Sequence, residues 1–352
     1  MTDWIEVLIV AVKVVVAFGF LLVATLLLIW AERKILADMQ NRVGPDRAGP
    51  WGLLQSLADG IKLFFKEQIT PSRAEKVVYL MAPVMALLPA LLIFLVIPIG
   101  RPFHLGDREI SLQAMDLNVG LLFILAMSSM AVYAVVLAGW SSGSKYPLIG
   151  GIRAAAQAIS YEAALGLSLV PIVMYEGTLR LSEIVAGQSG KFGGFFPAWN
   201  IVLLPSFVFF LMAAIAETNR APFDLVEAES EIVGGFHTEY SGLRFAFFFL
   251  AEYINIFSMS ALAATLFLGG WNGPTWEATL PSWITWLIPI GWFMLKTSAI
   301  VFVFFWVRAT LPRLRYDQLM DLGWKRLIPG TLIWMIVLAG ALAVDEFGMP
   351  WA

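Results

Sequence analysis

The chain has no cysteine and only two histidines in 352 residues. Without thiolates it can ligate neither an iron–sulfur cluster nor a cysteine-based zinc ion. A transmembrane bis-histidine haem needs two histidines at matching depth. His104 and His237 instead fall in polar stretches between apolar runs, in loops expected on opposite sides. If the chain takes part in redox chemistry, the metal centres belong to another one. Charge is also scarce, at 14% of residues against about 25% in an ordinary soluble protein. The net charge of −3 is too small to imply a partner.

What fills the chain is apolar: 59% of residues are hydrophobic, with 26 Phe, 14 Trp and a mean hydropathy of +0.79. A soluble domain of this size could not cover so much apolar surface, so lipid must cover much of it. That excludes a soluble enzyme, a disordered chain, a nucleic-acid binder and a disulfide-stapled secreted module. The expected fold class is all-α, a polytopic membrane protein forming a single membrane domain over residues 1–352.

Eight apolar runs approach the length of about 20 residues needed to cross a bilayer. They are Ile5–Trp30, Val77–Ile99, Leu117–Trp140, Ile152–Tyr175, Ile201–Ala216, Phe245–Leu268, Ile284–Val307 and Leu327–Val344. The fifth is short. The first is too long for a signal-peptide core and reads as a retained helix. Lys and Arg set the orientation. Seventeen fall in or beside the odd-numbered loops, while the other face has only Arg101, Arg108, Arg180 and Lys191. The odd-numbered loops are thus expected in the cytoplasm and both termini outside. Lys13 and Lys296 lie within spans.

The loop after the first span has its own pattern. Gly44-Pro45-Asp46-Arg47-Ala48-Gly49-Pro50 is a turn cluster, with Pro50 suited to the first turn of a helix. From there Leu54, Leu57, Ala58, Ile61, Phe64 and Phe65 recur at helical spacing, with Gln55, Asp59, Lys62 and Lys66 opposite. This predicts an amphipathic helix over about 50–67, lying on the membrane surface or against a partner.

Some acids sit where lipid penalises them. Glu162 is near the middle of the fourth span. Keeping it ionised there costs on the order of 3 kcal/mol, and protonating it at pH 7 costs about 3.7 kcal/mol. The two are close, so small changes around the site can switch its state. Arg153 is too far along the same helix to pair with it, which leaves Lys296 of the seventh span, at comparable depth, as the expected partner. Glu252 in the sixth span is a second case, and Glu32 reads as an interfacial charge because Arg33 and Lys34 follow it. The densest cluster is the acidic loop of about 217–242. It carries Glu217, Asp224, Glu227, Glu229, Glu231 and Glu239 against Arg220 and His237. If helical after Pro222, it would place Asp224, Glu227 and Glu231 on one face. Two like charges about 6 Å apart repel by roughly 3 kcal/mol at an effective dielectric near 20, so the group should titrate together. Interleaved Phe223, Leu225, Val226, Ile232 and Phe236 argue that it is partly buried. A hard-cation site would show closer acidic spacing around a defined glycine.

In order along the chain, Ala31-Glu32-Arg33-Lys34, Asn41-Arg42-Val43-Gly44-Pro45, Ala58-Asp59-Gly60-Ile61-Lys62 and Phe65-Lys66-Glu67 form a recognisable series. It continues with Gly139-Trp140-Ser141-Ser142, Arg153-Ala154-Ala155-Ala156-Gln157 and Ile159-Ser160-Tyr161-Glu162, then the Glu217–Glu231 loop, Glu239-Tyr240-Ser241-Gly242 and Arg315-Tyr316-Asp317-Gln318. Together they resemble, over nearly the whole chain, the H-type membrane subunit family of the proton-translocating NADH:quinone oxidoreductase, respiratory complex I. The resemblance implies a membrane subunit, not catalytic alone, that forms part of a quinone chamber and of the path coupling quinone reduction to proton translocation. It implies Arg33, Arg42, Asp59, Phe223 and Arg308 as quinone-lining. It also implies Glu32, Glu162, Glu217, Asp224, Glu227, Glu229, Glu231 and Glu252 as proton-coupling; Lys296, taken from its depth beside Glu162 rather than from the resemblance, joins them as the residue toward which the change would pass. No cofactor would be bound by this chain and quinone would be a substrate, while iron–sulfur clusters, FMN and NADH would sit in partner subunits. Partners would be the peripheral-arm quinone-site subunits, adjacent membrane subunits and lipid, in a bacterial inner membrane. The alternatives are the equivalent subunit of a membrane-bound hydrogenase and a stand-alone ion-coupled transporter.

Overall fold

A computed structural model describes residues 4–105, 108–192, 196–197, 199–225, 232–274 and 285–347. The chain is an all-α polytopic membrane protein. Among the described residues seven helices are long and apolar enough to cross a membrane. In chain order the elements begin with α1 (Trp4–Met39), α2 (Gln55–Phe65) and α3 (Lys76–Leu95), followed by the short hairpin β1 (Phe103–Leu105) with β2 (Arg108–Ile110). Next come α4 (Gly120–Ser141), α5 (Lys145–Glu176), α6 (Leu181–Gly187), and β3 (Lys191–Phe192) paired with β4 (Phe196–Pro197). The remainder is α7 (Leu204–Glu217), α8 (Gly242–Phe267), α9 (Leu287–Thr310), α10 (Tyr316–Asp321), a π-helical turn (Leu322–Leu327) and α11 (Ile328–Phe347).

The expected fifth span is the shorter α7, of 14 residues, preceded by a 3-10 turn over Asn200–Leu203. At 1.5 Å per residue it covers about 21 Å, less than the hydrocarbon core. It ends on Glu217, which places that carboxylate inside the bundle. By contrast α1 has 36 residues, about 54 Å. It continues past the apolar run, bringing Glu32 and Arg33 beside α2 and the acidic loop.

The amphipathic segment is realised as a 3-10 turn (Pro50–Gly52) leading into α2. The chain leaves its apolar face uncovered: Leu54, Leu57, Ile61, Phe64 and Phe65 are all exposed. The helix instead turns its polar face to α1, where Asp59 meets Arg33.

The core lies where α3, α4, α5, α7 and α8 meet. Close approach of α4 and α5 depends on Gly139, since a Cβ there would lie 2.4 Å from the Pro147 carbonyl. Tyr79 of α3 and Tyr240 stack at 4.2 Å, and Tyr79 donates to the Glu239 carbonyl at 2.8 Å. Ser241 accepts from the Ile69 amide and donates to the Glu67 carbonyl, and Arg244 donates to Thr70 at 2.7 Å. The segment leaving α2 is therefore stitched to the end of the acidic loop.

Candidate functional site

Three connected arrays of polar groups occupy the α2 end of the bundle. The first is an ion cluster between α1, α8, α9 and the start of the acidic loop. Glu32 of α1 is only 2% exposed. It accepts from Arg308 of α9 and from the Tyr253 hydroxyl of α8 at 2.7 Å, and it lies 3.3 Å from Arg220 Nη1. Arg220 also places its Nε 2.7 Å from Glu252 Oε1, with its guanidinium 4.5 Å above the Tyr253 ring. Two carboxylates and two guanidinium groups thus share one buried site. Balanced pairing with planar, multiply bonded partners is what makes such charges tolerable away from water.

The second array surrounds a cavity of about 100 Å³ enclosed by α3, α4, α5, α8 and the turn after α7. Its polar lining is Ser128, Glu217, Thr218, Asn219, His237, Glu252 and Asn255, and its apolar walls are mostly alanine and phenylalanine with Ile93, Val132, Val135 and Met259. Glu217 Oε2, Asn219 Oδ1 and Asn255 Oδ1 are buried acceptors with no hydrogen-bond donor among the described residues. One water needs about 10–15 Å³ of such space, so the cavity has room for several. Orphaned polar groups beside such a space are normally satisfied by water. Adjacent serines of α4 each hold an acid: Ser128, in the cavity lining, donates to Glu217, and Ser129 donates to Glu162 of α5. Charges on Glu162 and Glu217 would repel each other.

The third array is at the α1–α2 contact. Arg33 Nη1 donates to Asp59 at 2.6 Å, with Gln55 donating at 3.2 Å and Lys62 Nζ at 3.6 Å. Burial by itself would push the Asp59 carboxyl up. The hydrogen bond and charge of Arg33, aided by Lys62 and Gln55, outweigh it and hold the group below the usual carboxylate range.

The residues expected to line a quinone site are not gathered at one point. Arg33 and Asp59 pair, while Arg308 lies against Glu32, one residue before Arg33. Arg42 is exposed and donates to its neighbour Gln40. Phe223 is buried with its ring 5.5 Å from that of Tyr161. Of the acids, Glu32, Glu252, Glu217 and Glu162 form the arrays above, and Asp224 faces Arg313 at 3.3 Å. Glu227, Glu229 and Glu231 lie outside the described residues, as does most of the helix expected after Pro222.

Two expectations need correction. Glu32 is not an interfacial charge. Successive helix residues point about 100° apart, so Arg33 can be nearly half exposed beside a Glu32 that is sealed in the core. Lys296 does not meet Glu162. Its ammonium donates to the carbonyls of Leu268 (2.6 Å), Gly270 (3.0 Å) and Asn272 (2.5 Å), just past the far end of α8, and lies 4.4 Å from the Trp199 ring. All three donors are used, and the group ties the carbonyl at the end of α8 to two in the turn that follows it. It stands apart from the acids.

Sequence reading missed Ser128, Ser129, Tyr253 and Asn255 as members of the site. Each carries a signal in retrospect: a Ser pair inside an apolar span, and polar residues one and three positions after Glu252. Arg220 was visible as the one arginine of the acidic loop but not as its hub.

The profile of the NADH dehydrogenase family matches residues 12–339. The protein of Frankia casuarinae named as the H subunit of NADH-quinone oxidoreductase is 53% identical over 327 residues, covering 93% of this chain and 71% of that protein. The protein of the same name from Frankia alni is equally similar over the same share of each. The chain belongs to this family, the H-type membrane subunits of the NADH-quinone oxidoreductase known as respiratory complex I.

Proposed function

We propose that this chain couples quinone reduction to proton translocation without carrying electrons itself. The observation that carries the reading is the linked set Arg308–Glu32–Arg220–Glu252, which reaches a cavity lined by Glu252 and Glu217, with Glu162 held by Ser129 next to the serine that holds Glu217, and with the Arg33–Asp59 pair following Glu32 on α1. Quinone, entering from the bilayer near α2, would be reduced by iron–sulfur clusters in the peripheral subunits, with FMN and NADH further from the membrane. Arg33, Arg42, Asp59, Phe223 and Arg308 would line its path. Reduction to quinol takes up two protons and so changes the charge at the chamber. In a low-dielectric interior that change is felt strongly by neighbouring acids. Glu32, Asp224, Glu227, Glu229, Glu231, Glu252, Glu217 and Glu162 would pass it on, by proton movement through water in the cavity or by shifts in pairing, toward adjacent pumping subunits. The fixed pairing of Lys296 favours a structural cation over a member of this path. The setting would be a bacterial plasma membrane.

The test uses the assembled complex with Glu162→Gln or Glu227→Gln. Quinone reduction linked to pumping should fail while NADH oxidation by an artificial acceptor persists. Normal coupled turnover in both variants would overturn the reading.

A further inference from the structure

We propose that Gln157 is a positioning residue that closes the base of the acidic loop and thereby aims Glu217 and Arg220. It rests on the coupling role proposed above for that loop. Gln157 lies on α5, five residues before Glu162, and is completely buried. Its amide nitrogen donates to the Ala216 carbonyl and to the Phe223 carbonyl, both at 2.8 Å. One NH₂ group has two protons in a fixed fork, and both are used.

The two acceptors bracket the turn that carries the functional groups. Ala216 is in the last turn of α7, where its carbonyl also accepts from the Asn219 amide at 3.2 Å, and Phe223 immediately precedes Asp224. Seven residue steps separate them, which if extended would span about 23 Å. The shared amide holds the two oxygens within about 5.6 Å of one another, the limit set by two 2.8 Å bonds. Within the closed loop Glu217 faces the cavity and Arg220 reaches Glu252 and Glu32. Tyr161, one helical turn beyond Gln157, packs its ring on Phe223 and holds the same point from the side.

Simple space filling does not account for a glutamine here. Its Oε1 is buried and has no donor among the described residues, an arrangement that costs free energy against an apolar side chain of similar size. The two carbonyl bonds are what offset that cost, and they act on a loop.

The experiment replaces Gln157 with Met, of similar length and without donors, in the full complex, alongside Glu217→Gln. Three quantities are read: NADH oxidation by an artificial acceptor, protons translocated per NADH oxidised with quinone, and hydrogen exchange in peptides covering residues 213–225. Losing two hydrogen bonds should speed exchange there by roughly tenfold or more. Protons per NADH should fall while artificial-acceptor activity per flavin is retained. A purely structural residue would lower the amount of assembled complex and leave protons per NADH unchanged, which overturns the proposal. Impaired Glu217→Gln with a wild-type Gln157→Met overturns the positioning role alone. Wild-type coupling in Glu217→Gln removes the coupling role of the loop and this inference with it. If Gln157→Met does not assemble, Gln157→Asn, one methylene shorter, is read by the same criteria, and unchanged exchange and coupling in it count against the proposal.

Discussion

Removing the charge of Glu32 is the most exacting perturbation of the buried cluster. Glu32→Gln keeps the shape and can keep the Tyr253 hydrogen bond at 2.7 Å. It leaves Arg220 and Arg308 facing Glu252 as the one remaining carboxylate among the four ionic groups described. Removing one partner of a buried ion pair costs about 3–5 kcal/mol, which is a shift of roughly two to three and a half powers of ten in the equilibrium between docked and displaced arrangements. The segment that would move is the one carrying Arg220, because it belongs to a loop while Arg308 is held in α9. The assay is hydrogen exchange of residues 213–225 in the intact complex, combined with loss of quinone reductase activity on a temperature ramp. The compensating variant sharpens the test. Glu32→Gln with Arg308→Gln restores a balance of one cation and one anion, so the double variant should be more stable than the single. Direct neighbours of this kind are expected to deviate from additivity by about 0.5–3 kcal/mol. If Glu32→Gln is as protected and as heat-resistant as wild type, or if the two changes simply add, the cluster is not the balanced unit described.

Further outcomes follow from the same geometry. Ser129→Ala strips a hydroxyl donor from Glu162; a bond to a charged acceptor is worth about 1.5–3 kcal/mol, so quinone-linked turnover should drop about tenfold or more while artificial-acceptor activity stays unchanged. Asn255→Leu replaces a polar cavity wall with an apolar one and should slow coupled turnover in step with a smaller solvent isotope effect on it. Lys296→Met leaves three carbonyls without their donor and should destabilise the turn after α8, seen as faster proteolysis near residues 268–274, with protons per NADH unchanged. The Arg33–Asp59 pair has a pH signature of defined sign. Because the folded-state carboxyl is held below its ordinary value of 3.8, its contribution is complete above that value and is lost as pH falls through the lower folded one. Asp59→Asn should therefore weaken α2 docking at neutral pH, by no more than about 1 kcal/mol for a pair this exposed, and should differ little from wild type in strong acid.

Much of the fold was legible because lipid imposes a simple rule on sequence. Apolar runs mark the spans, and each expected span has a helix at its place, with α7 shorter than a bilayer as its sequence limits implied. The period of Leu54, Leu57, Ile61 and Phe65 gave α2 its apolar face, which the structure leaves exposed. The acids at Glu162, Glu217 and Glu252 could be singled out from electrostatic cost alone. Their partners could not. Glu32 meets Arg220 and Arg308, which are 188 and 276 residues away, and no local pattern encodes such pairing. The partner expected for Lys296 was wrong for a related reason: depth along a helix is readable, but the direction a side chain faces depends on how the helices rotate against one another. The backbone carbonyls that bind it leave no trace in residue identity. Gln157 stands out only within a motif, since a buried glutamine reads from sequence as an ordinary polar residue until both of its acceptors are seen.

On the proposed coupling role, acids of this chain respond to quinone reduction. Infrared difference spectroscopy of the complete complex, reduced against oxidised quinone, reads carboxyl protonation directly. Coupling through these acids should give a carboxyl stretching signal on reduction that is lost or displaced in Glu217→Gln and in Glu252→Gln, with the flavin and iron–sulfur signals unaltered. A carboxyl difference spectrum identical in wild type and both variants would contradict it.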